Sequence, residues 1–351
     1  MKTSAEPATT TIHGLGQSIA ALPYQLGYHP TASLVLLCMG PAEPVKNGSA
    51  RVRSSVTLIA RVDLSPSFPQ ADSVAGLEPA LRRGDVASVM AVAFEDGGNQ
   101  MVDKINATPA LRHLAEVATS HSVVVVASAR VRNRQFATVD EIGRTGVWEE
   151  LPHDGDVPVI AEYVLAGKSP APNRASVQSV LEPVDKALAE AVAACMRTEP
   201  AAGARETARL VSTVINDQQC LPAHFEARDI AGVALALGDV EVRDAVLSRL
   251  SPPLAQPGAP GNDAERQVAY ELDLCDRVDA SACFRLAALA SYIPRKGGAP
   301  ALTLVGYLAW QAGEGALANM AIDAALETTP DYSLARLVEM ALASALRPPP
   351  V

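Results

Sequence analysis

The sequence predicts an α/β sheet domain followed by an all-helical C-terminal half. Two observations carry that prediction. Up to about residue 170, continuous or alternating apolar runs of strand length are separated by stretches with helical spacing. From Ser176 onward the spacing is helical almost without interruption. The division that follows is a polar tail over residues 1–11, expected to be disordered, an α/β domain over 12–170, and a helical domain over 171–351. A linker rich in proline and glycine falls at about 251–262.

The elements follow in order. Ile12, Leu15, Ile19, Leu22 and Leu26 recur on one helical face. Gly27 and the His29–Pro30 step end that helix, because proline pushes its predecessor out of the helical region. Ser33 then opens Ser-Leu-Val-Leu-Leu-Cys-Met, a run that reads as a strand buried on both faces. Val56 to Leu64 is a second strand, with Arg61 and Asp63 on one face near its end. Val86 to Phe94 and Ser122 to Ala129 are further strands, and Val102 to Ser120 is the helix between them. Gln135 to Val139 is one more strand, and Val147 to Pro158 is irregular. In the second half, helices are predicted over residues 177–196, 204–215, 227–237, 242–250, 264–276, 283–293, 301–312, 316–327 and 333–346. Gly306, Ala318, Ile322, Ala325 and Pro330 fit the spacing of a tetratricopeptide-like helical hairpin, in which small residues let two helices approach. A second copy is not evident, so an ordinary hairpin fits as well.

Composition narrows the function classes. A net charge of −10 argues against a general nucleic-acid binder and against binding to anionic membranes. The one basic run, Arg130, Arg132 and Arg134, is equally a solvated strand end. Cys38, Cys195, Cys220, Cys275 and Cys283 lack metal-ligand spacing, so no metal and no cofactor is expected. No apolar run reaches membrane-spanning length, and a reducing cytoplasm is the expected compartment.

The polar residues with chemical capacity cluster around the first strand. The His29 imidazole can act as acid or base. Ser33 becomes a nucleophile only where His29 activates it, and these two are the candidate catalytic residues. Arg61 can clamp a carboxylate or phosphate; with Asp63 and Tyr28 it forms the candidate ligand-binding set. The structural alternative is an Arg61–Asp63 pair that fixes a strand end while His29 and Ser33 hold the turn. Phosphate-loop, nucleophile-elbow and zinc-protease signatures are absent.

The chain resembles an actinobacterial family known as domain of unknown function 4192. The likeness rests on Pro23-Tyr24-Gln25-Leu26-Gly27-Tyr28-His29-Pro30 with Ser33-Leu34-Val35, and on Arg61-Val62-Asp63-Leu64. It continues in Val240 to Leu247, in Leu308 to Ala318, in Ala324-Ala325-Leu326, and from Pro330 to Leu337. Relatives often carry a cysteine pair followed by proline and glycine; residues 148–157 here contain no cysteine. The resemblance implies a fold and a host lineage, with no activity attached.

Two functions remain open at this stage. One is a ligand- or protein-binding scaffold, whose partner is a protein or a small anionic ligand and which has room to self-associate. The other is a hydrolase- or transferase-type enzyme that uses the His29, Ser33, Arg61 and Asp63 cluster. Convergence of all four side chains in a cleft favours the enzyme; a closed polar network favours the scaffold.

Overall fold

The computed structural model describes residues 12–44, 52–64, 74–95, 106–251, 261–272, 278–346 and 348. The predicted tail over 1–11 and nearly all of the predicted linker lie outside the described residues. The chain divides into two units, Met1–Asn173 and Arg174–Val351.

The first unit is built on a six-stranded mixed sheet, in the order β4-β1-β5-β6-β7-β8. The strands are β1 (Ser33–Met39), β4 (Val56–Asp63), β5 (Ser88–Phe94), β6 (Val124–Arg132), β7 (Gln135–Thr138) and β8 (Glu149–Glu150). A separate two-residue pair joins β2 (Glu43–Pro44) to β3 (Val52–Arg53). β1 runs antiparallel to both β4 and β5, and every residue from Ser33 to Cys38 is buried. That central position explains its unbroken apolar run: neither face nor edge meets water.

Helix α1 (Gly14–Leu26) covers one face of the sheet. Its Ile19 and Leu22 pack with Val35, Leu37, Val92, Phe94 and Val131 in a single core. Gly27 ends α1 at φ 80°, the left-handed conformation that glycine takes without steric cost. A short helix α2 (Glu78–Leu81) precedes β5, and α3 (Thr108–Ser120) connects β5 to the parallel strand β6. Helix α4 (Pro158–Leu165) and strand β8 lie where the sequence suggested irregular chain or no element. Pro158 at the first helical turn of α4 gives up no internal hydrogen bond, so it starts a helix rather than preventing one.

The described regular structure of the second unit is helical. It comprises α5 (Arg174–Gln178), α6 (Lys186–Thr198), α7 (Ala204–Asn216), α8 (Ala227–Ala236), α9 (Val240–Leu250) and α10 (Asp263–Leu272). It closes with α11 (Ala280–Ala290), α12 (Arg295–Gln311), α13 (Gly315–Thr328) and α14 (Ser333–Ala343). The single helix expected over 177–196 is split. Pro183 cannot sit in a helix interior, and Asp185 caps α6 by accepting from the amides of Ala187 and Leu188. α12 and α13 form a close hairpin. A methyl group at Gly306 would come within 2.8 Å of the Ile322 side chain and 3.2 Å of the Ala318 carbonyl. Leu302, Val305, Leu308, Ala309, Leu317 and Ile322 are buried, whereas Leu326 and Trp310 are only partly covered. Trp310 meets Tyr307 edge to face and donates its indole N–H to the Leu346 carbonyl.

Candidate functional site

The strand register brings three of the predicted residues together where the start of β1 meets the end of β4. Ser33 stands opposite Asp63 on β4 and opposite Phe94 on β5. The start of β1 is fixed by backbone pairing: the Leu64 amide donates to the Ala32 carbonyl at 2.7 Å. Ser33 is fully buried, and its hydroxyl donates to the Thr31 carbonyl at 2.6 Å. The same oxygen accepts from Arg61 Nε at 2.9 Å. Arg61 Nη2 is paired with the Asp63 carboxylate. The arginine is largely covered, whereas the Asp63 side chain is 67% exposed.

Tyr28 and His29 belong to the same turn but play other parts. Tyr28 is buried and forms a parallel bridge with Ala171. The His29 amide donates to the Ala171 carbonyl at 2.9 Å, and the Ala171 amide donates to the Gly27 carbonyl at 2.8 Å. The imidazole itself is exposed and makes no hydrogen bond or ion pair to Ser33, Arg61 or Asp63 among the described residues. Ser33 therefore has a carbonyl, not a base, at the end of its O–H.

A second network lies at the same end of the strands, one strand further on. Glu95 follows β5, and its side chain is only 3% exposed. Oε1 accepts from the Ala107 amide at 2.9 Å and from Arg130 Nε at 2.7 Å. Oε2 accepts from Arg130 Nη2 at 3.1 Å and from Arg132 Nε at 2.7 Å. Arg130 also donates to the Thr145 hydroxyl at 2.9 Å. Both guanidinium groups approach the ring of Trp148, at 5.8 and 5.0 Å. Four hydrogen bonds saturate the buried carboxylate, which is the condition under which an ion tolerates loss of water.

A family model described as "Domain of unknown function (DUF4192)" matches residues 16–349. The chain belongs to the DUF4192 family. No curated protein and no solved structure matches it.

In this DUF4192 protein, the Arg61–Asp63 pair was legible from alternation alone, because residues two apart share a strand face, and antiparallel pairing of β1 with β4 brings Ser33 to it. The Glu95 network was not. The alternating Arg130 and Arg132 were visible, but their partner lies 35 residues earlier and is brought to them by parallel pairing of β5 with β6. β6 also extends to Arg132 instead of stopping near Ala129, so these arginines belong to a paired strand rather than to a solvated end.

Proposed function

We propose that this protein works as a binding and scaffolding module of the cytoplasm, not as a hydrolase or transferase. The observation that carries the reading is the state of Ser33. Its proton is committed to the Thr31 carbonyl and its oxygen to Arg61, so it lacks the adjacent base that activates a serine nucleophile. Arg61, Asp63 and Tyr28 act in this reading as a brace for the start of β1, with Asp63 as the side chain offered to solvent. The helical hairpin of α12 and α13 supplies the type of paired-helix surface that scaffolds use for protein partners. Buried, unbridged thiols at Cys38, Cys220 and Cys283 suit a reducing compartment. No helix among the described residues is long and apolar enough to cross a membrane.

The reading is tested by exposing the purified protein to a fluorophosphonate, which reacts with activated serine hydroxyls. Ser33 should stay unlabelled under conditions that label a control serine hydrolase. Stoichiometric phosphonylation of Ser33, absent from Ser33→Ala, would overturn the proposal.

A further inference from the structure

β6 is only half paired. β7 pairs with β6 from Ala129 to Arg132, and the Val139 amide reaches the Ser128 carbonyl at 2.8 Å. Before that point the β7 side of β6 faces a groove of about 500 Å³, closed by α3 and by the turn after β7. Val125, Val126, Leu111 and Ala115 are among the apolar residues that line it. Val126 is skipped by the sheet register, which passes from Val89↔Val125 to Met90↔Ala127. Such bulges re-aim side chains and end pairing next to functional surfaces. Val126 is 54% exposed, and Ile142, which also lines the groove, is 66% exposed.

The charges on the rim are unevenly committed. Asp140 and Arg144 pair at 2.8 Å, and Asp140 also accepts from the amides of Ile142 and Arg144, so this pair builds the turn. Arg112 and Glu141 line the same groove, and neither has a hydrogen-bond or ion-pair partner among the described residues. The combination is an open strand segment, apolar side chains left in water, one uncommitted cation and one uncommitted anion. Strand addition uses these parts: backbone pairing for affinity and alternate side-chain pockets for selectivity.

We propose that this groove takes a short extended peptide segment of a partner protein, laid beside Val124–Ala127. The segment is apolar at alternate positions and carries one acidic and one basic residue, for Arg112 and Glu141. At about 3.3 Å per residue, four or five extended residues cover the open segment. A simple carboxylate fits less well, because it would meet Glu141 and Asp140 as well as Arg112. The inference rests on the binding reading above and gives it a site and a ligand class.

The test uses the full chain and two capped five-residue peptides, Glu-Val-Thr-Val-Lys and its charge-reversed order Lys-Val-Thr-Val-Glu. Calorimetry and amide NMR shifts report binding. One order should bind saturably, with shifts centred on Val125–Ala127. Replacing the central threonine of that peptide by proline, which removes a backbone donor, should weaken binding at least tenfold. Val126→Asp should do the same, and Arg112→Gln or Glu141→Gln should weaken it about threefold to tenfold, with the fold unchanged by circular dichroism. Absence of saturable binding of both peptides at millimolar concentration would overturn the proposal, as would binding indifferent to proline or to Val126→Asp. Self-association of the chain that Val126→Asp abolishes would also overturn it, by giving the groove to a second copy. Failure here with Ser33 unlabelled refutes the groove alone; phosphonylated Ser33 refutes the non-catalytic reading.

Discussion

The two arginine networks at the strand ends solve the same problem in different ways. Around Ser33, the carboxylate is the exposed partner and the arginine is the covered one. Around Glu95, the carboxylate is at the centre, nearly inaccessible, with two arginines and an amide arranged on it. The first ties β1 to β4, which are neighbours in any case through their ladder. The second ties β5 to β6, also ladder neighbours, and adds the approach to α3. An ion pair open to water contributes little, because solvent already screens it. A buried carboxylate contributes through what its loss leaves behind: arginines without a counter-charge.

The sharpest break in this comparison is Glu95→Gln. It should destabilise the protein by about 3–5 kcal/mol, because Arg130, with its side chain only 11% exposed, keeps its charge and loses the carboxylate. Urea unfolding measures this, and a loss below about 1 kcal/mol would make the two networks equivalent. Ser33→Ala comes next, at about 1–3 kcal/mol, since Arg61 Nε is left without its buried acceptor. Asp63→Asn should cost less than about 1 kcal/mol, and added salt should erase most of the difference from the parent chain. A salt-insensitive cost comparable to that of Glu95→Gln would place Asp63 in a drier setting than its exposure indicates.

The smallest expected effect concerns the far end of β1. Burial pushes the Cys38 thiol up to about 12, with Arg83 working against that shift and Asp85 adding to it. A raised thiol holds its proton in the folded state after the unfolded chain has released it. The associated stability is therefore complete below the ordinary thiol range and is lost as pH climbs towards about 12. Cys38→Ala should flatten the fall in stability at alkaline pH without removing it, because Cys283 is also pushed up to about 12. An unchanged alkaline slope would mean that Cys38 ionises in the folded protein. A thiol-reactive reagent should correspondingly modify the partly exposed Cys195 before Cys38 or Cys283.

What the sequence determined by itself was everything carried by short-range pattern. The apolar run from Leu34 to Cys38 required a strand buried on both faces. Gly27 before His29–Pro30 required the end of α1, and the two-residue spacing of Arg61 and Asp63 put both on one face. Gly306 with Ala318 and Ile322 required a close helical hairpin, because only small residues permit that approach. The tertiary structure alone decided what depends on distant partners. Local spacing carries no information about which carboxylate a strand arginine will meet, so Glu95 acquired its role only when parallel pairing set Phe94 beside Val131. It also decided that His29 points to water while Ser33 is closed off, because backbone pairing with Ala171, far along the chain, sets the path of that turn. The open half of β6 was likewise invisible, since an apolar run reads the same whether a neighbouring strand covers it or leaves it bare.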